Sequence, residues 1–169
     1  MGQYAPFSSV TRDALGYACE VLGLPLDAGR TETLMEEYRK LAMYPDVSTV
    51  LETLGQHGRR LAILTNGSPD MIEPLVAHHG LGQVFTAVLS ADELRFYKPS
   101  PRIYARAVQR LEAPADAIGF VSSNSWDAAG AKAFGFRVFW INRHGAPVER
   151  LGFPPDGVLR TLGDLPELL

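Results

Sequence analysis

Three times in this chain a short apolar run ends in small polar residues, and each time a helical pattern follows. Leu61-Ala62-Ile63-Leu64 leads into Thr65-Asn66-Gly67. The run from Val84 to Leu89 is followed by Lys98-Pro99, and Ala117 to Val121 leads into Ser122-Ser123-Asn124-Ser125-Trp126-Asp127. Strands alternating with helices imply βαβ units and a parallel sheet. In an open parallel sheet, ligands bind at the carboxyl ends of the strands. The three polar turns therefore converge on one candidate crevice.

The rest of the pattern supports an α/β fold with a helical appendage. Val10, Ala14, Leu15, Ala18, Val21 and Leu22 fall at helical spacing, and Gly23 and Pro25 end that helix. A second helix, with Thr31 as its cap, carries Leu34, Met35, Tyr38, Leu41 and Ala42 on one face. No strand separates the two helices, so residues 1–44 read as a small helical lobe and residues 45–169 as a Rossmann-like core. Tyr44-Pro45-Asp46 is the hinge, because proline forbids helix continuation. Asp46 then caps a helix over Val47 to Leu54. Strands are expected at Arg60 to Leu64, Val84 to Leu89, Ala117 to Val121 and Arg137 to Ile141. Helices are expected from Ser68-Pro69 to Gly80, from Pro101 to Leu111, and from Trp126 to Phe134. Loop-like residues Asn142 to Gly157 precede a short last strand at Val158-Leu159.

Bulk properties exclude several classes of function. The 169 residues carry a net charge of −3 with mixed signs, which gives no footprint for nucleic acid and no basic amphipathic stretch for a membrane. No apolar run approaches the ~20 residues that span a bilayer. The lone Cys19 cannot form an internal disulfide, so a cytoplasmic location is expected. None of the four histidines shows metal-ligand spacing with the cysteine.

Each motif has a plain structural alternative. Thr65-Asn66-Gly67 offers a hydroxyl, an amide and a glycine that lets backbone N–H groups approach an anion, or it is an ordinary strand-to-helix turn. Lys98 neutralises a carboxylate in the crevice, or it is a solvated surface lysine. Asn124 and Asp127 straddle a helix start and can both face the strand end, although an acidic residue there also suits the helix dipole. Trp126 walls a pocket at the crevice mouth or packs in the core. A Mg²⁺ site needs several anionic oxygens, and this strand exit presents one carboxylate, so no cofactor and no metal are expected.

The motifs in order resemble the haloacid dehalogenase superfamily, and more narrowly its type II (L-)2-haloacid dehalogenases. Thr65-Asn66-Gly67 matches that family's Ser/Thr-Asn-Gly motif. Lys98-Pro99, with Tyr104 six residues after the lysine, matches its Lys-Pro motif, and Ser122-Ser123-Asn124 with Asp127 matches Ser-Ser-Asn-x-x-Asp. Pro45-Asp46 and Ala131 to Phe136 also fit. The resemblance implies that Lys98, Ser122, Asn124 and Asp127 are the catalytic set, with Lys98 on a nucleophilic carboxylate and the other three orienting nucleophile and water. It implies substrate-binding roles for Thr65, Asn66, Tyr104 and Trp126, with Tyr104 supporting the site.

The implied reaction is attack by an aspartate on the halogen-bearing carbon of a small 2-halo carboxylic acid, followed by hydrolysis of the ester by water. In the family that aspartate lies in an N-terminal Asp-x-Tyr-Gly-Thr motif after a central first strand, and an arginine follows it. No segment here matches the strand, the motif or the arginine, and Met1 to Tyr4 is similar to the middle of the family's helical cap. The chain is accordingly expected to be a truncated, metal-independent hydrolase, inactive by itself, with a partial cap and a missing central strand. A homodimer through the cap is implied. Two other readings stay open: a Mg²⁺-dependent phosphatase of the same superfamily, and a non-catalytic fragment that binds another polypeptide.

Overall fold

The structure is a computed structural model that describes residues 3–169. Met1 and Gly2, which belong to the segment likened to the cap, lie outside the described residues. Helix α1 spans Phe7–Val21 and α2 spans Ala28–Glu37, followed by a 3₁₀ turn at Tyr38–Lys40. Then come α3 (Val47–Gln56), β1 (Ala62–Thr65), α4 (Pro69–His78), β2 (Ala87–Ser90), α5 (Pro101–Leu111) and β3 (Gly119–Ser122). The last elements are α6 (Ser125–Phe134), β4 (Arg137–Ile141) and β5 (Gly157–Leu159).

Every strand pair is parallel. Strand β1 pairs with β2, and β3 pairs with β4, which pairs with β5. Among the described residues these form two separate ladders, β2-β1 and β3-β4-β5. Their C-terminal ends meet: Lys98 Nζ donates to the carbonyl of Leu64 on β1 and to Asp127, which also binds Ser122 at the end of β3. Their N-terminal ends meet at the chain terminus. Arg59, just before β1, bonds the Leu169 carbonyl, and the Leu169 side chain lies over Gly119 at the start of β3. The two ladders therefore run in the same direction.

Apolar residues cover both faces, as a buried parallel sheet requires. Alternation along β4 shows how: Val138 and Trp140 join Tyr104, Ala107, Ala128 and Phe136 on one side, against α5 and α6. Phe139 faces the other side with Val50, Leu54, Leu159 and Leu165, against α3. Period-two alternation of a strand thus feeds two cores.

Several sequence expectations shift. Helix α2 is capped by Asp27, whose side chain accepts from the Arg30 N–H at 2.8 Å, while Thr31 lies inside the helix and bonds back to the Asp27 carbonyl. Strands β1 to β3 begin one to three residues later than the apolar runs: Val84 lies in a turn, whereas Leu61 and Ile118, just before β1 and β3, still accept from the Thr86 and Arg137 N–H groups of the neighbouring segments. Asp46 does not cap α3 with its side chain. Its carboxylate instead receives Arg143 at 3.0 Å and the Leu162 N–H at 2.6 Å, tying the start of the core to its last segment. Helix α1 forms over the residues placed at helical spacing, but it has no buried residue, and Val10, Val21 and Leu22 are exposed.

Candidate active site

The site is built on three strand ends and centres on a buried carboxylate. Asp127 is 1% exposed and sits in the first turn of α6. A charge in such a place is costly unless it is paired and fully hydrogen-bonded. Both oxygens are satisfied. Lys98 Nζ lies 2.7 Å from Oδ2, the Ser122 hydroxyl donates to Oδ2 at 2.9 Å, and the Tyr104 hydroxyl donates to Oδ1 at 2.8 Å. The helix N-terminus adds a favourable dipole.

Each donor is itself fixed. Tyr104 is fully buried in a cage of Phe120, Phe134 and Phe136 rings, with centroids 5.7–5.9 Å away. Burial, together with the charge and hydrogen bond of Asp127, pushes the Tyr104 phenol well above its ordinary range, so it stays protonated and donates. Its place depends on Gly130: a Cβ there would stand 2.8 Å from the Tyr104 hydroxyl and 2.6 Å from Pro99 Cβ. Lys98 is held at its backbone by Asn66, whose Oδ1 accepts from the Lys98 N–H at 2.8 Å. Its ammonium also donates to the Leu64 carbonyl at 3.1 Å and lies 5.3 Å from the Phe120 ring centroid.

The turn after β1 is braced from β2. Thr65 Oγ1 accepts from the Gly67 N–H, and the Ser90 hydroxyl donates to the Gly67 carbonyl at 2.7 Å. At the mouth, Asn124 and Trp126 are exposed, and the Asn124 N–H donates to Ser122 Oγ. Beside the mouth, the Tyr97 ring packs against Tyr4 and Phe7, and the Tyr4 hydroxyl bonds Asp92. This brings the N-terminal segment next to the site.

Seven of the eight residues singled out in the sequence lie in the segments that follow strands β1, β2 and β3 or at their ends, and Tyr104 reaches them from α5 through Asp127. Lys98, Ser122, Asp127 and Tyr104 form one bonded cluster. Tyr104 has no surface toward the crevice and reaches Asp127 instead, so it positions rather than touches a ligand. Asn66 has its amide on the Lys98 backbone, while Thr65, Asn124 and Trp126 border the opening. Sequence reasoning missed Ser90 and Gly130. Ser90 closes an apolar run like any loop residue, and Gly130 looks like a helix interior; only the approach of α6 to Pro99 and Tyr104 makes it obligatory. No group of three or more His, Cys, Asp or Glu side chains that could hold a metal occurs among the described residues.

A family model for haloacid dehalogenase-like hydrolases matches residues 2–135. The (S)-2-haloacid dehalogenase of Pseudomonas sp. strain YL is 45% identical over 168 residues, covering 99% of this chain and 72% of that protein. The chain belongs to the haloacid dehalogenase-like hydrolases. Haloacetate dehalogenase H-2 of Moraxella sp. strain B is 44% identical over 92% of this chain and 70% of its own. A solved L-2-haloacid dehalogenase superimposes with a TM-score of 0.95 at 45% identity, over 99% of this chain and 74% of that one. The Xanthobacter autotrophicus L-2-haloacid dehalogenase, solved with chloropropionic acid covalently bound, gives 0.89 at 39% identity over 99% and 77%. A phosphatase from Thermococcus onnurineus gives 0.72 at 30% identity. The haloacid dehalogenase core expected from the motifs is thereby established.

Proposed function

We propose that this site serves hydrolysis of the carbon–halogen bond of a small 2-haloalkanoate by water, through a carboxylate ester. The observation that carries the reading is the closed Lys98–Asp127–Tyr104–Ser122 cluster. Asp127 has both oxygens engaged and almost no exposure, so it is a poor nucleophile and a good anchor. It holds the Lys98 ammonium at the strand ends, where that charge can stabilise a second carboxylate as it attacks and leaving charge develops. The attacking carboxylate belongs on a neighbouring strand end facing Lys98. Among the described residues the Lys98 ammonium bonds only the Leu64 carbonyl and Asp127, and no second carboxylate, so the 169 residues by themselves are expected to release no halide. Thr65, Asn124 and Trp126 border the opening where substrate and water enter.

A metal is not required in this reading, because the one carboxylate at the third turn is already filled by three donors. The phosphatase alternative calls for open anionic oxygens there. The exposed apolar side chains of the helical lobe, Tyr17, Val21, Leu22 and Leu34 among them, support a homodimer through that lobe, and sedimentation velocity tests it. The lone Cys19 fits a cytoplasmic setting. No helix among the described residues is long and apolar enough to cross a membrane.

The test joins the chain to the part of the Pseudomonas sp. strain YL relative that lies outside the match. Chloride release from (S)-2-chloropropionate, undiminished by a chelator, is expected. Phosphate release from a phosphomonoester with Mg²⁺, in place of chloride release, would overturn the reading in favour of a phosphatase.

A further inference from the structure

The buried cluster fixes the turn after β3 at its two ends, Ser122 and Asp127. Between them lie Asn124 and Trp126, both exposed at the opening. Asn124 is tied through its backbone, its N–H donating to Ser122 Oγ at 3.2 Å, so the direction of its amide follows the backbone of the turn. Two side chains from further along the chain brace that backbone. The Trp140 indole N–H on β4 donates to the Ser123 carbonyl at 3.1 Å, and the Ser125 hydroxyl donates to Glu149 Oε1. These two bonds flank Asn124 on either side in the sequence.

Glu149 belongs to the segment between β4 and β5, and the ends of that segment show how it reaches the turn. At its start the Asn142 amide donates to the Ala146 carbonyl, and the Asn142 oxygen accepts from the Ala146 N–H, both at 2.8 Å. At its far end Asp156 accepts from Lys132 Nζ at 2.6 Å and from the Val138 N–H at 2.7 Å. Ser125 and Lys132 are seven positions apart on α6, about two helical turns, and therefore share a face. The segment thus runs along one face of α6, anchored by Asp156 toward the end of the helix and by Glu149 at its first turn. A carboxylate at the first turn also suits the helix dipole.

We propose that Glu149 is a positioning residue of the mouth: through Ser125 it holds the turn that presents Asn124 and Trp126, and so sets how well substrate is captured rather than how fast the bond breaks. The consequence for substrate rests on the function proposed above; the holding of the turn does not. Lys98, Asp127, Tyr104 and Ser122 are locked by their own bonds, so loss of Glu149 leaves the charge at the reacting centre in place. Glu149 is exposed, so replacing it opens no cavity in the core. Glutamine there keeps an acceptor for the Ser125 hydroxyl and drops the charge, which separates the bond from the field of the carboxylate.

The test makes Glu149→Ala, Glu149→Gln and Ser125→Ala in two settings. In the 169-residue chain, amide hydrogen exchange is read at Asn124. In the chain joined to the relative's remaining segment, chloride release from (S)-2-chloropropionate is followed. One hydrogen bond of this kind changes an equilibrium by roughly 3- to 10-fold. The Asn124 amide should exchange faster by about that factor in Glu149→Ala and Ser125→Ala. Their KM should rise by the same factor, with kcat within about two-fold of the unsubstituted chain. The two alanine changes together should be no worse than either alone, because they remove one bond. Glu149→Gln should match the unsubstituted chain in both settings. Unchanged exchange at Asn124, a loss confined to kcat, additive effects of the two alanines, or a glutamine variant as impaired as the alanine variant would each overturn the proposal. If the joined chain releases no chloride at all, the function proposed above fails by itself, and exchange at Asn124 still decides whether Glu149 holds the turn.

Discussion

Replacing Lys98 with methionine removes the charge and keeps most of the stem. The Nζ to Oδ2 distance is 2.7 Å, and the two side chains are 11% and 1% exposed. At an effective dielectric of 20, a pair at that distance has a gross attraction of roughly 6 kcal/mol. Desolvation offsets much of it, but that cost for Asp127 remains when its partner is taken away. Breaking a buried pair by deleting one member costs about 3–5 kcal/mol, against a typical net stability of about 5–15 kcal/mol. Urea unfolding followed by the fluorescence of Trp126 and Trp140 should show a loss in that range for Lys98→Met. Adding Asp127→Asn removes the orphaned charge; Tyr104 can still donate to the amide oxygen at the Oδ1 position, and the amide NH2 at the other can donate to the Ser122 hydroxyl. The double variant should therefore recover part of the loss. A cost below ~1 kcal/mol, the value of an exposed pair, with no recovery in the double variant, would refute the reasoning.

Other consequences follow from the same geometry. Gly130→Ala should cost about 1–3 kcal/mol by overpacking and loosen the Tyr104–Asp127 bond, readable as a lower urea midpoint. Asp46, Asp156 and Asp164 are among the acid-sensitive groups. For Asp46, burial raises the carboxyl, but the bonds from Arg143 and the Leu162 N–H outweigh it and hold the group below its ordinary range. Lys132 lowers Asp156, and the Thr161 and Arg160 N–H groups lower Asp164. Depressed carboxyls contribute stability that is full above their unfolded value near ~4 and is lost as pH falls through the folded values. Melting temperature should fall on acidification in that window, and Asp46→Asn should flatten the fall. Chloride release by the chain joined to the relative's remaining segment should survive a chelator, and the 169-residue chain alone should match the no-enzyme blank.

The fold was legible because strands buried on both faces read as compact apolar runs, and the polar turns after them stand out against those runs. The start of β2 was misplaced because nothing in Val84, which lies in a turn, distinguishes it from a ladder residue. The site was legible as three motifs in order, but its wiring was not. Lys98 reads equally well as a surface lysine until Asp127 is found 2.7 Å away. Asn66 looks like a ligand group until its amide is seen on the Lys98 backbone. The roles of Gly130 and Ser90 arise from contacts 26 and 23 positions away in the chain (Tyr104 and Gly67), which no local pattern records.

The central claim is that Lys98, anchored by Asp127, supplies the charge on which carbon–halogen cleavage depends. The most direct test is kcat for chloride release from (S)-2-chloropropionate by the chain completed with the relative's remaining segment, compared with its Lys98→Met variant. Both are measured at a temperature where melting shows them folded. A loss of ~10²-fold or more in kcat is predicted, the size expected for a group acting on developing charge. Chloride release within a few-fold of the unsubstituted enzyme would contradict the account.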